Sequence, residues 1–210
     1  MLRIHALQTP LTASEPRPER IEPQLSDEEL VERLIEGDSW AQEALYRRYV
    51  RMVWATALRL LGNRADAEDI VQDTFATALA DLPHLEQAAA VRGWLLRITV
   101  HQAHRRFRRR ALLRRLGLDH SVDDATLAAL THPGASPETL AELSRVDRAL
   151  GRIESGERFA WILRYVDGHR LEDVATACQC SLATIKRRLA RANRAVDEAL
   201  AEARQREEAT

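Results

Sequence analysis

Apolar residues recur along most of this chain at intervals of three and four, and nowhere alternate by twos. That period belongs to amphipathic helices and excludes half-buried strands. Ser26-Asp27-Glu28-Glu29 has the form of a capping box, and Leu30, Val31, Leu34 and Ile35 follow at helical spacing before Gly37 ends the run. A long second helix is predicted over 39–61, with Ala41, Leu45, Val53, Ala57 and Leu61 inward and Gly62-Asn63 closing it. The third, over 65–80, turns Ala67, Ile70, Val71, Thr74, Phe75 and Ala78 inward. Residues 81–88, with Pro83 and His84, read as a loop. A fourth helix runs from about 90 to 110 or a little beyond, and carries Trp94, Leu95, Ile98 and Phe107.

Beyond it the periodicity fades. Residues 117–135, with His132-Pro133-Gly134, read as a flexible linker, and Ser136-Pro137-Glu138 restarts a helix with a cap followed by proline at the first helical position. Helices are predicted over 137–153, 157–166, 171–177 and 182–204, with Gly156 and Gly168 marking two of the breaks. Residues 1–25, with Pro10, Pro16, Pro18 and Pro23 among polar neighbours, read as a flexible tail. The expected fold is all-α: two small helical domains, 26–116 and 136–205, on a tether over 117–135.

The C-terminal pattern is the most specific. Within LEDVATACQCSLATIKRRLARANRAV (171–196), a short helix with Leu171, Val174 and Ala175 on one side precedes a turn and a longer basic helix. At about 100° per residue, Ile185, Leu189, Ala192 and Val196 form a packing stripe, and Thr184, Arg187, Arg191 and Arg194 lie opposite. Ser181 fits an N-cap. A helix-turn-helix of this kind places its second helix in a DNA major groove. An amphipathic helix with a solvated arginine face is the plainer alternative.

Composition adds little until charge is mapped along the chain. In 210 residues the net charge is −1, with 45% hydrophobic and 5% aromatic residues. Arginine almost replaces lysine, Lys186 being the single exception. Between His101 and Gly117 there are seven arginines and no acid, whereas Asp66–Asp73 holds four acids and no base. Such segregation suggests two different partners, or one surface able to mask another. No apolar run is long enough to span a bilayer, and the first residues do not form a signal peptide, so the chain reads as cytoplasmic. Cys178 and Cys180 are too few for a zinc set and read as packing residues at the helix-turn-helix corner. No nucleophile–base pair or metal set emerges, so neither enzymatic chemistry nor a cofactor is expected.

Two further segments carry candidate function. On the third helix, Asp66, Asp69 and Asp73 lie together away from the inward stripe, with Glu68 and Gln72 beside them. This is either a solvated acidic face or a docking face for a basic partner. The fourth helix ends in a dense arginine tail, which supplies sequence-independent phosphate affinity. With its aromatic and His groups near a loop, it could also hold bases taken out of a duplex. A basic linker held in solution is the alternative.

The order of these pieces resembles the extracytoplasmic-function group of bacterial sigma factors. Family signatures close to DAEDLVQETF, WLYRIARN with following basic residues, and EEIA…G…TVKSRLARAR appear here as DAEDIVQDTF, WLLRITVHQAHRRFRRR and LEDVATACQCSLATIKRRLARAN. The likeness runs from about Ser26 to Glu202. It implies that Asp66, Glu68, Asp69, Gln72 and Asp73 contact core RNA polymerase. It implies that His84, Glu86, Gln87, His101, Arg105, Arg106 and Arg109 recognise and open the −10 promoter element. Ser181, Thr184, Arg187, Arg188 and Arg191 would read the −35 element. It also implies an anti-sigma factor as regulator.

Three positions depart from the pattern. His101 replaces the usual Asn, Arg105 stands where an Asp is common, and Gln179 replaces the turn glycine, where a left-handed backbone would cost Gln more than Gly. Two other readings remain at this point. A stand-alone helix-turn-helix regulator would leave the acidic helix without a role, and a sigma-like decoy would occupy polymerase without starting transcription.

Overall fold

The computed structural model describes residues 25–85, 87–116 and 136–208. They form eight helices: α1 (Asp27–Ile35), α2 (Ser39–Leu61), α3 (Arg64–Asp81), α4 (Val91–Arg115), α5 (Pro137–Arg152), α6 (Ser155–Trp161), α7 (Leu171–Ala177) and α8 (Leu182–Glu208). There is no strand among the described residues, nor any helix long and apolar enough to cross a membrane. The predicted tail and linker lie outside them, apart from Leu25.

The helix boundaries follow from local chemistry. The Glu29 N–H donates to Ser26 Oγ at 3.2 Å and the Ser26 N–H to Glu29 Oε2 at 2.7 Å, so the capping box at α1 is complete. α2 stops where Gly62 adopts φ +69° and its N–H reaches the Leu58 carbonyl at 2.8 Å. One residue later Asn63 Oδ1 accepts the Asp66 N–H at 2.8 Å and starts α3. Gly62-Asn63 therefore folds α2 back along α3 with orphan groups at both ends of the turn satisfied. The predicted loop over 81–88 contains two short 3-10 turns, Leu82–His84 and Ala88–Ala90.

Gly156 corrects one expectation. It lies inside the first turn of α6, and the break falls at Ile153, whose backbone is extended. A Cβ on Gly156 would sit 3.0 Å from Arg188 Cζ, so glycine here lets an arginine from α8 approach the α6 backbone. After Trp161, α6 continues as a π-helical turn over Ile162–Val166, and Gly168 at φ +74° marks the break before α7.

α4 organises the molecule because it is apolar on two sides. Val91, Trp94, Leu95 and Ile98 join Leu45, Val53, Val71 and Phe75 in the core of the α2–α3 hairpin. Leu96, Val100 and Ala103 join a second cluster that includes Phe159, Trp161, Ile162, Leu163, Val174 and Ile185. Over 91–103 the helix is therefore buried between two apolar clusters, while its later arginine face stays open. Thus the N-terminal half (α1–α4) and the C-terminal half (α5–α8) share a continuous apolar cluster, which the sequence pattern did not anticipate.

Candidate functional site

α3 presents acids in two different environments. Glu68, Asp69, Gln72 and Asp73 are exposed. Asp66 is not: it is 7% exposed and lies beneath α4. Its Oδ1 accepts from Arg106 Nε at 2.7 Å and its Oδ2 from Arg110 Nη1 at 3.0 Å. The sequence expectation that Asp66 lies on an open acidic face with Asp69 and Asp73 is therefore corrected. An acid in the first helical turn can satisfy guanidinium groups forty residues away, and a helical wheel of α3 alone cannot show it.

The same pairs redistribute the basic helix. Arg106 is half-buried and bridges Asp66 and Asp69, and it is held in its charged form despite burial by these two carboxylates. His101, Arg105 and Arg109 are exposed along one face of α4, and Arg108, which sequence reasoning passed over, joins them. His84 and Gln87 are exposed on either side of the preceding loop, and Glu86 lies outside the described residues. His104 turns the other way. Burial, then the charges of Arg188, Arg108 and His101, lower its pKa to about 4, so its imidazole is neutral at pH 7.

In the C-terminal half, the predicted stripe is realised: Ile185 and Ala192 are fully buried, Leu189 and Val196 nearly so, and Leu200 extends it. Trp161 Nε1 donates to Asn193 Oδ1 at 3.1 Å and Asn193 Nδ2 to Tyr165 Oη at 3.0 Å, which pins α8 onto α6 and its π turn. The Thr184 N–H donates to Ser181 Oγ at 3.2 Å, so Ser181 caps α8 as expected. Between α7 and α8, Gln179 takes φ +50°, while the Cys178 N–H bonds to the Val174 carbonyl at 2.9 Å and the Cys180 N–H to the Ala175 carbonyl at 3.1 Å. Both cysteines are half-buried there, and burial raises the Cys178 thiol to about 12.

The outer face of α8 is positive. Lys186, Arg187, Arg191 and Arg194 are exposed, Thr184 is half-buried, and Arg187 Nη2 reaches Thr184 Oγ1 at 3.3 Å. Arg194 lies on this face as predicted, and Lys186 extends it. Arg188 instead lies against Gly156 and donates to Cys180 Sγ at 3.6 Å. Arg191 donates to Glu157 Oε1 at 3.1 Å, so the outward arginine also neutralises a carboxylate that is 8% exposed. Such an array can hold phosphates and present guanidinium forks to guanine edges.

Residues 45–113, spanning α2 to α4, match sigma-70 region 2, and residues 143–196, spanning α5 to most of α8, match sigma-70 region 4. The ECF RNA polymerase sigma-E factor of Escherichia coli is 31% identical, over 83% of this chain and 94% of its own length. The chain belongs to the extracytoplasmic-function (ECF) sigma factors. Among solved structures, CnrH in complex with the cytosolic domain of CnrY aligns with a TM-score of 0.58 at 26% identity, covering 84% of this chain and 97% of that one. The sigma factor RpoE of Bartonella quintana, in complex with the anti-sigma factor NepR, gives 0.56 at 26% identity, covering 75% and 95%. As a sigma factor, the chain binds core RNA polymerase and directs it to promoter DNA.

Proposed function

We propose a residue-level division of labour for this sigma factor across three charged surfaces. The exposed acids Glu68, Asp69 and Asp73, with Gln72, dock core polymerase. His101, Arg105 and Arg109, assisted by Arg108 and by His84, Glu86 and Gln87 of the loop, hold the −10 element and stabilise its open strand. Ser181, Thr184, Arg187 and Arg191 place α8 in the major groove of the −35 element, and Arg188 sets the tilt of that helix from its seat on Gly156. The observation that carries this reading is the separation of charge on one scaffold. Among the described residues, Glu68 and Asp73 on α3 form no ion pair with the arginines left exposed on α4 and α8, and Asp69, though bridged by Arg106, stays about half exposed, so each surface remains able to take a partner.

Asp66 has a different job in this reading. It braces α4 against α3 and so sets the angle at which the arginine stripe meets DNA. Base pairs open because exposed bases gain contacts the duplex cannot offer, and stacking of about 1–3 kcal/mol per base offsets a few kcal/mol of unpairing. Covalent chemistry is left to the polymerase, and the protein works in the cytoplasm. An anti-sigma factor, of the kind seen with the Bartonella relative, would act by covering one of these surfaces.

Run-off transcription with purified core enzyme tests the assignment. The chain should yield promoter-dependent transcripts, and Arg187→Ala should lower them mainly through upstream base pairs, at about 1–3 kcal/mol of discrimination. A variant that responds to upstream base changes as the wild type does removes α8 from the readout. A chain that binds core without starting transcription would be a decoy. One that binds a duplex but not core would be a stand-alone regulator.

A further inference from the structure

Lys186 differs in kind from the other cations of α8. Of the 31 lysines and arginines in the chain it is the single lysine, and it stands exposed in the second turn of the helix. The arginines around it have partners of their own. Arg187 Nη2 reaches Thr184 Oγ1, Arg188 Nη1 reaches Cys180 Sγ and Arg191 Nη1 reaches Glu157 Oε1. Lys186 meets no acceptor among the described residues. Three and four positions away on its solvent side lie Ala183 and Ala190, both exposed. Methyl groups, with neither bulk nor an acid, therefore flank the amine on that side.

An arginine in this place would hold a phosphate at least as well. What lysine adds is nucleophilicity: a guanidinium keeps its proton, whereas an ammonium can release one and attack an activated acyl carbon. A reagent of that class finds one side-chain amine in the whole chain, and it lies on the surface read above as facing the −35 element. The same surface selects among such reagents. Arg187, Arg191 and Arg194 are exposed on α8 beside it, so an acyl donor carrying a dianionic phosphoryl group is drawn there.

We propose that Lys186 is an acylation site for acyl phosphates, and that its acylation loosens α8 from DNA. In its free-amine form Nζ attacks the carbonyl carbon of the acyl phosphate. The N–C bond forms, the C–O bond to the phosphoryl group breaks, and phosphate leaves with that electron pair and takes up the proton lost by nitrogen. The product is a neutral amide, so α8 loses one positive charge and the phosphate contact it supplied. The site rests on exposure and on the uniqueness of the amine, and its effect on DNA rests on the division of labour proposed above.

Treatment of the full chain with acetyl phosphate tests both parts. Peptide mass mapping should find the acetyl group on Lys186, and labelling should slow about threefold or more in Arg187→Ala or at raised salt, because the charges that draw the donor are removed or screened. No acetyl group on Lys186, or labelling rates that ignore both changes, overturns the site. For the consequence, treated and untreated chains are titrated with a duplex carrying the −35 element over a range of salt. Acetylation should weaken binding about fivefold or more and lower the slope of log affinity against log salt by about 0.9, one phosphate contact. Core polymerase should bind both chains equally. Lys186→Arg, which keeps the charge and lacks the amine, should bind the duplex alike before and after treatment. Equal duplex affinity of treated and untreated wild type, or an equal loss in Lys186→Arg, overturns the effect. An untreated chain that does not bind the duplex would instead sink the α8 assignment, while mass mapping still decides the site.

Discussion

α3 and α8 look like mirror images in sequence, each laying a charged face over an apolar stripe, but they use their charge differently. α3 commits its first acid to the interior, where Asp66 takes both Arg106 and Arg110. α8 commits less of its charge: Arg191 bridges to Glu157 while remaining 61% exposed, and Lys186, Arg187 and Arg194 stand in solvent. Burial decides the difference. A carboxylate under a neighbouring helix must be paired to be tolerated, and pairing removes it from outside partners. A surface charge keeps its hydration and remains available.

The largest test of this contrast is Asp66→Ala. It leaves Arg110, itself 6% exposed, without the carboxylate that faces it. Breaking a buried pair costs about 3–5 kcal/mol, so the thermal midpoint should fall by many degrees, whereas Asp73→Ala should leave it unchanged. Equal midpoints would place Asp66 back among the exposed acids. Arg191→Ala should cost less, about 1–3 kcal/mol, because it strips the partner from one buried acceptor. Arg187→Ala should cost almost nothing in stability, so denaturant titration of the two variants separates an arginine with an internal duty from one without.

Protonation sharpens the same point where the two halves meet. His104 has a folded pKa of about 4, below the ordinary value of about 6.5. The unfolded chain therefore binds the extra proton between those limits, and stability present above pH 6.5 is lost as pH falls toward 4. The thermal midpoint should fall over that window, and His104→Gln should flatten its pH dependence. The smallest effect is expected at the entry to α8. Gln179→Gly relieves a left-handed residue, less the entropy of glycine in the unfolded chain, for a gain of about 0.5–1 kcal/mol.

Features that depend on near neighbours were legible in sequence. The Ser26 capping box, the Gly62-Asn63 turn, the Ser181 cap, the left-handed strain at Gln179 and the packing stripe of α8 each involve residues within a few positions. The family likeness came from the order of three such local motifs. What escaped was set by partners distant along the chain. Asp66 looked exposed because Arg106 and Arg110 belong to another helix. Gly156 looked like a break because the arginine that needs its space is Arg188, on α8. The second apolar side of α4, through Val100, Ala103 and Phe107, was hidden among arginines, and the Phe159 ring it meets carries no local signature.

The division of labour is tested most directly by the affinity of Asp69→Arg/Asp73→Arg for core polymerase, measured beside its affinity for a duplex carrying the −35 element. The account predicts core affinity at least tenfold weaker, with duplex affinity unchanged. Wild-type affinity for core in that variant would contradict it.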